Sequence, residues 1–154
     1  MLLVFHGPSC SGKSTVAGII AQRTGASVWT GSDYLRLAKS EPSAWLQFMT
    51  VLERAAAAAV FDSDSVIFVH TGSLPHGRFL PDGPAVRTLR FTAAQEVLEA
   101  RFAPRVGGRV SPAISAMLAR SSETARRTPA DEEYDTSVRS AEAIAEELMS
   151  SLRQ

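Results

Sequence analysis

The octapeptide Gly7-Pro8-Ser9-Cys10-Ser11-Gly12-Lys13-Ser14 has the spacing G-x-x-x-x-G-K-[ST], and each residue type in it answers a demand of a polyphosphate. Glycines let backbone amides turn inward around anionic oxygens. Lys13 can reach the outer phosphates, and the Ser14 hydroxyl is a ligand for magnesium. Lys13 and Lys39 are the only lysines among 16 Lys and Arg, so a chain that otherwise prefers arginine keeps a lysine here. The run Leu2-Leu3-Val4-Phe5 before the loop reads as a buried parallel strand, and Thr15 to Ile20 after it reads as a helix. That helix would point its positive N-terminal end at the same anion, with Thr15 joining the cofactor-binding positions.

Asp33 is the next residue whose type and place could do chemistry. It follows a short apolar run, Ala26 to Thr30, and would project from the carboxyl edge of a parallel sheet, where substrates bind. There it could take a proton from an attacking hydroxyl, hold magnesium, or do both; the alternative is a cap for a helix through Tyr34 to Ala38. The strand Val66 to Val69 ends in His70-Thr71-Gly72, with no second acid for magnesium. Arg101, Arg105 and Arg109 recur at four-residue spacing around Pro104 and Gly107-Gly108. A glycine-bearing segment that carries guanidinium groups suits a lid over residues 101–120, because phosphoryl transfer builds charge and requires water to be excluded.

These residues need a scaffold that gathers strand ends at one edge, and the chain has the pattern for it. Apolar runs at 2–5, 26–30, 66–69 and 86–91 alternate with helical stretches at 43–61, 92–103, 111–125 and 140–152. The strand at 66–69 is expected to be central. The alanines at 55–59 are expected to pack closely on the sheet, Thr92 to cap a helix with Gln95 in capping-box position, and 129–136 to form a loop. Residues 72–84, with Pro75, Gly77, Pro81, Gly83 and Pro84, form a longer loop. The expected architecture is a three-layer α/β/α fold with a short parallel sheet, in one domain spanning residues 1–154.

Composition narrows the partners. At 154 residues the chain can build one core but not a large motor. Sixteen basic and sixteen acidic residues cancel, and no basic tract suggests a nucleic-acid partner, so a small-molecule substrate is expected. No apolar stretch reaches membrane-spanning length, and the first strand begins at Met1, so a cytoplasmic monomer or homodimer is expected. Cys10, the only cysteine, allows no disulfide within the chain.

In layout the chain resembles the small phosphate-loop metabolite kinases, among them shikimate kinase, gluconate kinase and chloramphenicol phosphotransferase. The likeness rests on the N-terminal phosphate loop, the acid after the second strand, the lid arginines and Tyr134-Asp135-Thr136-Ser137 before the last helix. Arg105-Val106-Gly107-Gly108-Arg109-Val110 looks most like the lids of the last two, and Gly31-Ser32-Asp33 like the base-bearing turn of the phosphotransferase. Thr71-Gly72-Ser73 departs from the diglycine loop of shikimate kinase. The resemblance implies a three-layer fold, ATP and magnesium as cofactors, and transfer of the γ-phosphate to a small-molecule hydroxyl. It further implies Asp33 as general base, Arg101 near the adenine, and Arg105 and Arg109 closing over the phosphates. A nucleoside or nucleotide kinase is the rival enzyme, with Tyr34, Trp45 and Phe48 as either a base pocket or core. A regulatory nucleotide-binding ATPase without an acceptor is the rival class.

Overall fold

The computed structural model describes residues 1–74 and 77–153. Pro75 and His76, assigned to the long loop from the sequence, lie outside the described residues. In chain order the elements are β1 (Leu2–His6), α1 (Lys13–Thr24), β2 (Ser27–Thr30), a 3-10 turn (Asp33–Leu37), α2 (Glu41–Ala56), β3 (Val66–His70) and β4 (Val86–Thr92). They are followed by α3 (Gln95–Phe102), a second 3-10 turn (Ala103–Val106), α4 (Pro112–Arg127), β5 (Glu132–Asp135) and α5 (Ala141–Leu152). All strand pairs are parallel, in the order β2-β3-β1-β4-β5.

Strand β1 is central because both of its faces are apolar. Leu3 and Phe5 pack with Ile67, Leu89 and Phe91 under α1 and α5, where Val16, Ile20, Ile144 and Leu148 are buried. Leu2 and Val4 pack with Val66 and Phe68 under α2, whose Trp45, Phe48 and Leu52 fill the second core. The expectation of a central β3 is therefore corrected by one position: β3 lies between β1 and β2, and apolarity alone does not separate two neighbouring buried strands.

The 129–136 loop is also corrected, since Glu132–Asp135 is an edge strand on β4. Its sequence is polar because only Tyr134 turns inward, while Glu132 and Glu133 pair with Arg87 and Arg90 of β4. Helix α2 stops at Ala56, and Ala57 and Ala59 are exposed, so of the expected alanine packing only Ala55 is fully buried. Thr92 does not cap α3: it ends β4, and the Gln95 amide donates to Glu99 Oε1 at 2.8 Å and to the Ser115 carbonyl at 3.0 Å. Ser40, Ser111 and Ser140 cap α2, α4 and α5 by accepting from amides three residues on.

Among the described residues no helix joins β3 to β4. The second face of the sheet is consequently covered by α2 over β1 and β3, the end of α4 meets β4 at Arg90, and an open space remains between them over β1 and β4. Among the described residues no helix is long and apolar enough to cross a membrane.

Candidate active site

The phosphate loop links the central strand to the helix on its far face, and its backbone demands glycine where the chain turns. Gly7 has φ 151°, and a Cβ there would meet the Phe91 carbonyl oxygen at 2.2 Å. Gly12 has φ 87° and lies against Thr136. Cys10 has φ 64°, a left-handed conformation in a residue that has a Cβ. The Lys13 ammonium is buried and curls over the loop, donating to Gly7 O at 2.8 Å, Pro8 O at 2.6 Å and Ser11 Oγ at 3.3 Å. Burial lowers its pKa to about 8, with the Arg105 guanidinium pushing the same way. A buried cation held, among the described residues, by neutral oxygens is poised to prefer an anion.

Residues 10–15 line a cavity of about 390 Å³ together with Arg101, Arg105, Thr136 and Arg139. Arg101 donates to Cys10 O at 3.0 Å, Thr136 Oγ1 at 2.9 Å and Thr136 O at 2.8 Å, and Thr136 Oγ1 donates to Ser11 O at 3.0 Å. The segment after β5 therefore braces the phosphate loop. In the sequence Thr136 was only part of a closing stretch, and the contact crosses most of the chain, so no local spacing signals it. Arg105 is exposed at the mouth and lies over the Phe102 ring at 5.8 Å. Arg109 is exposed beyond Gly107-Gly108 and lines neither this cavity nor the larger one described below. The segment expected to be a lid is mostly helical, with α3 and α4 flanking an irregular stretch near Gly107-Gly108.

Asp33 stands apart from both cavities. Its Oδ2 accepts from the Thr30 amide and hydroxyl, each at 2.8 Å, and Arg36 lies 3.6 Å from Oδ1. Those two donors hold the carboxyl below its ordinary pKa, so it is ionised at neutral pH. For magnesium, Ser14 is exposed at the phosphate cavity and fits as a single hydroxyl ligand, the remaining positions going to phosphate oxygens and water. Among the described residues no group of three or more His, Cys, Asp or Glu side chains could hold a metal by itself.

The larger cavity, about 1050 Å³, lies over β1 and β4 where no helix covers the sheet. Val4, His6, His70, Val86 and Thr88 form its floor, and the segment from Gly77 to Gly83 forms one wall. Arg78 ties that wall to α2, donating to Glu41 Oε2 at 2.6 Å and lying 5.3 Å over the Trp45 ring. His6 and His70 are register partners on β1 and β3, with ring centroids 6.0 Å apart. Burial, mutual proximity and the Arg90 and Lys13 charges push His6 down to about 4, and burial with Lys13 does the same to His70. Both imidazoles are neutral at pH 7. From its sequence position after the apolar run 66–69, His70 could hydrogen-bond a substrate or merely cap the strand; His6 gave no signal, since a lone histidine ending an apolar strand has no pattern. Tyr34, Trp45 and Phe48 are at most 5% exposed and form core, not a base pocket.

No protein-family model matches the chain, and no curated protein is significantly similar to it. Solved structures share its fold. A YorR protein from Bacillus subtilis in complex with phosphorylated GDP is 16% identical with TM-score 0.63, covering 99% of this chain and 96% of that one. Shikimate kinase from Acinetobacter baumannii in complex with shikimate is 15% identical with TM-score 0.61, covering 99% and 92%. A gluconokinase from Sinorhizobium meliloti is 21% identical with TM-score 0.56, covering 98% and 90%. The chain has the α/β phosphate-loop fold of the small metabolite kinases.

Proposed function

We propose that the protein is an ATP- and magnesium-dependent kinase that transfers the γ-phosphoryl group to a hydroxyl of a small molecule. The observation that carries this reading is the pairing of two compartments across the end of β1: a phosphate cavity with a buried Lys13, and a larger cavity floored by neutral polar groups. A regulatory ATPase needs only the first.

In this reading Lys13 leaves the Gly7 and Pro8 carbonyls for the outer phosphates, while the loop amides and the start of α1 hold the remaining oxygens. Magnesium, held by Ser14, would neutralise charge on the phosphate chain. Arg105 comes down on the transferring group, where positive charge counts most in the transition state, and Arg109 follows it when the segment closes. Asp33 braces the turn after β2 through Oδ2, which accepts both Thr30 donors, and its Oδ1 keeps acceptor capacity for a hydroxyl or a magnesium-bound water. The YorR structure with phosphorylated GDP favours a nucleotide acceptor as the second reading.

The test is ATP consumption by the wild-type protein against sugars, sugar acids, nucleosides, nucleotides and other alcohols, with Lys13→Ala as control. Acceptor-stimulated turnover that falls by several orders of magnitude in Lys13→Ala supports the reading. Acceptor-independent ATP hydrolysis, or turnover indifferent to Lys13, refutes it.

A further inference from the structure

We propose that His6 and His70 form the seat of the acceptor hydroxyl, and that the cavity above them takes an alcohol with an apolar flank and no anionic group. This rests on the kinase reading for its chemistry but not for its binding site.

His6 is 2% exposed, yet among the described residues its Nε2 has no hydrogen-bond partner, and the same holds for the buried Nδ1 of His70. A desolvated ring nitrogen without a partner costs free energy, and both rings line the cavity floor with these nitrogens closed off, so a ligand hydroxyl that turns a ring toward the cavity would recover the missing hydrogen bond. Strand alternation turns His6 to the same face as Leu2 and Val4, toward the open side of the sheet. The residue after it is Gly7, so a hydroxyl on these rings lies next to the loop that holds the phosphates. The Lys13 charge acts on both imidazoles, which places the ammonium within electrostatic reach of the pair. A neutral imidazole accepts the O–H of an alcohol through its bare nitrogen and leaves the oxygen lone pairs free to face the phosphorus.

The charges around the cavity select against acids. Among the described residues Arg78 is the cation that lines it, and Glu41 already neutralises that guanidinium at 2.6 Å. Arg90 lies near His6 but is spent on Glu133 and on the carbonyls of Ala125, Arg126 and Thr128. The other charged lining residues are the carboxylates Asp82 and Asp131. A carboxylate ligand would bring a third negative charge against neutral rings without a free partner. Leu74, Phe79, Leu80, Val4 and Val86 offer the flank instead.

Three probes of one shape separate charge from fit: 1-phenylethane-1,2-diol, 2-amino-1-phenylethanol and mandelate. Histidine ring signals of the full-length protein would be followed by carbon–proton correlation spectroscopy, with and without ADP and magnesium. The diol and the amino alcohol should shift the His6 and His70 signals saturably, and mandelate should bind at least tenfold more weakly. His70→Gln should raise the KM of whichever alcohol is turned over by tenfold or more, while leaving the KM for ATP within twofold. Equal or tighter mandelate binding, or silence of both histidines toward all three probes, overturns the proposal. So does acceptor turnover indifferent to His70→Gln in a folded variant, which would leave the kinase reading standing. Saturable shifts with no acceptor-stimulated ATP consumption across the whole panel of alcohols would support the seat and refute the kinase.

Discussion

The Arg101 guanidinium and the Cys10 carbonyl oxygen, 91 residues apart in sequence, meet at 3.0 Å, so the end of α3 holds the crest of the phosphate loop directly. The same guanidinium grips Thr136, whose hydroxyl donates to Ser11. Hydrogen bonds from a charged donor contribute about 1.5–3 kcal/mol each where water is excluded, and less for a side chain as exposed as Arg101. Arg101→Gln should lower unfolding stability by about 1 kcal/mol and weaken ADP binding about tenfold through a loosened loop. Thr136→Val, which keeps volume and removes the hydroxyl, should weaken binding in the same direction. Thermal denaturation with and without ADP, together with calorimetric titration, measures both. An adenine-stacking Arg101 with no bracing role would weaken binding but leave the stability of the free protein unchanged.

Cys10 adopts φ 64° with a side chain attached, a conformation that costs about 1–2 kcal/mol in residues other than glycine. Glycine removes that strain but costs unfolded-state entropy, so Cys10→Gly should stabilise the protein by a net of about 0.5–1 kcal/mol. Chemical denaturation of the two proteins reads the difference. A destabilised variant would mean that the thiol packs more firmly in the loop than its half-buried position indicates.

The phosphate loop was legible because its chemistry is local: eight adjacent residues carry the glycines, the lysine and the hydroxyl. The alternation of β1, β2 and β3 with helices, and β4 itself, were legible for a similar reason, since each element buries a face whose period is written within it. What was not legible depends on partners far along the chain. β5 is polar because it is an edge strand whose charges pair with Arg87 and Arg90, information held by β4 and not by residues 132–135 themselves. Thr136 reaches Ser11 across 125 residues, and the pairing of His6 with His70 exists only through the β1–β3 register. Asp33 lies at the expected strand end, and the two bonds its Oδ2 accepts from Thr30 are a local detail that position alone does not reveal.

Lys13 links nucleotide binding to pH. Its folded pKa of about 8 lies below the ordinary 10.5, so between these values the unfolded chain binds more protons and the free protein gains stability as pH rises. A nucleotide reverses the shift, because an anion beside the ammonium favours its charged form. Binding at about pH 9 should take up a substantial fraction of one proton, and affinity should fall by up to about tenfold per unit above pH 8. Calorimetry of ADP binding in two buffers of different ionisation enthalpy measures the uptake. Zero uptake at that pH would show that Lys13 is already charged in the free loop, or that it stays on the Gly7 and Pro8 carbonyls when nucleotide binds.

Arg105 and Arg109, equivalent by sequence spacing, differ in place. Arg105 lines the phosphate cavity and its charge reaches Lys13, whereas Arg109 lies past two left-handed glycines and lines neither cavity. Contacts that strengthen as the phosphoryl group loosens lower turnover when removed, while contacts made equally to bound ATP only raise its KM. Arg105→Ala should therefore lower turnover by about a hundredfold or more with a small effect on ATP binding. Arg109→Ala reports whether the segment moves: its guanidinium can reach the phosphates only if the Gly107-Gly108 turn swings inward. A tenfold or larger loss in Arg109→Ala, with hydrogen exchange at residues 105–110 slowed by nucleotide and acceptor together, would establish closure of the turn. An unimpaired Arg109→Ala beside a crippled Arg105→Ala would mean that the turn stays open and that one arginine serves the transition state. Equal, small losses in both variants would leave Lys13 as the charge that stabilises transfer and would remove the arginines from the mechanism.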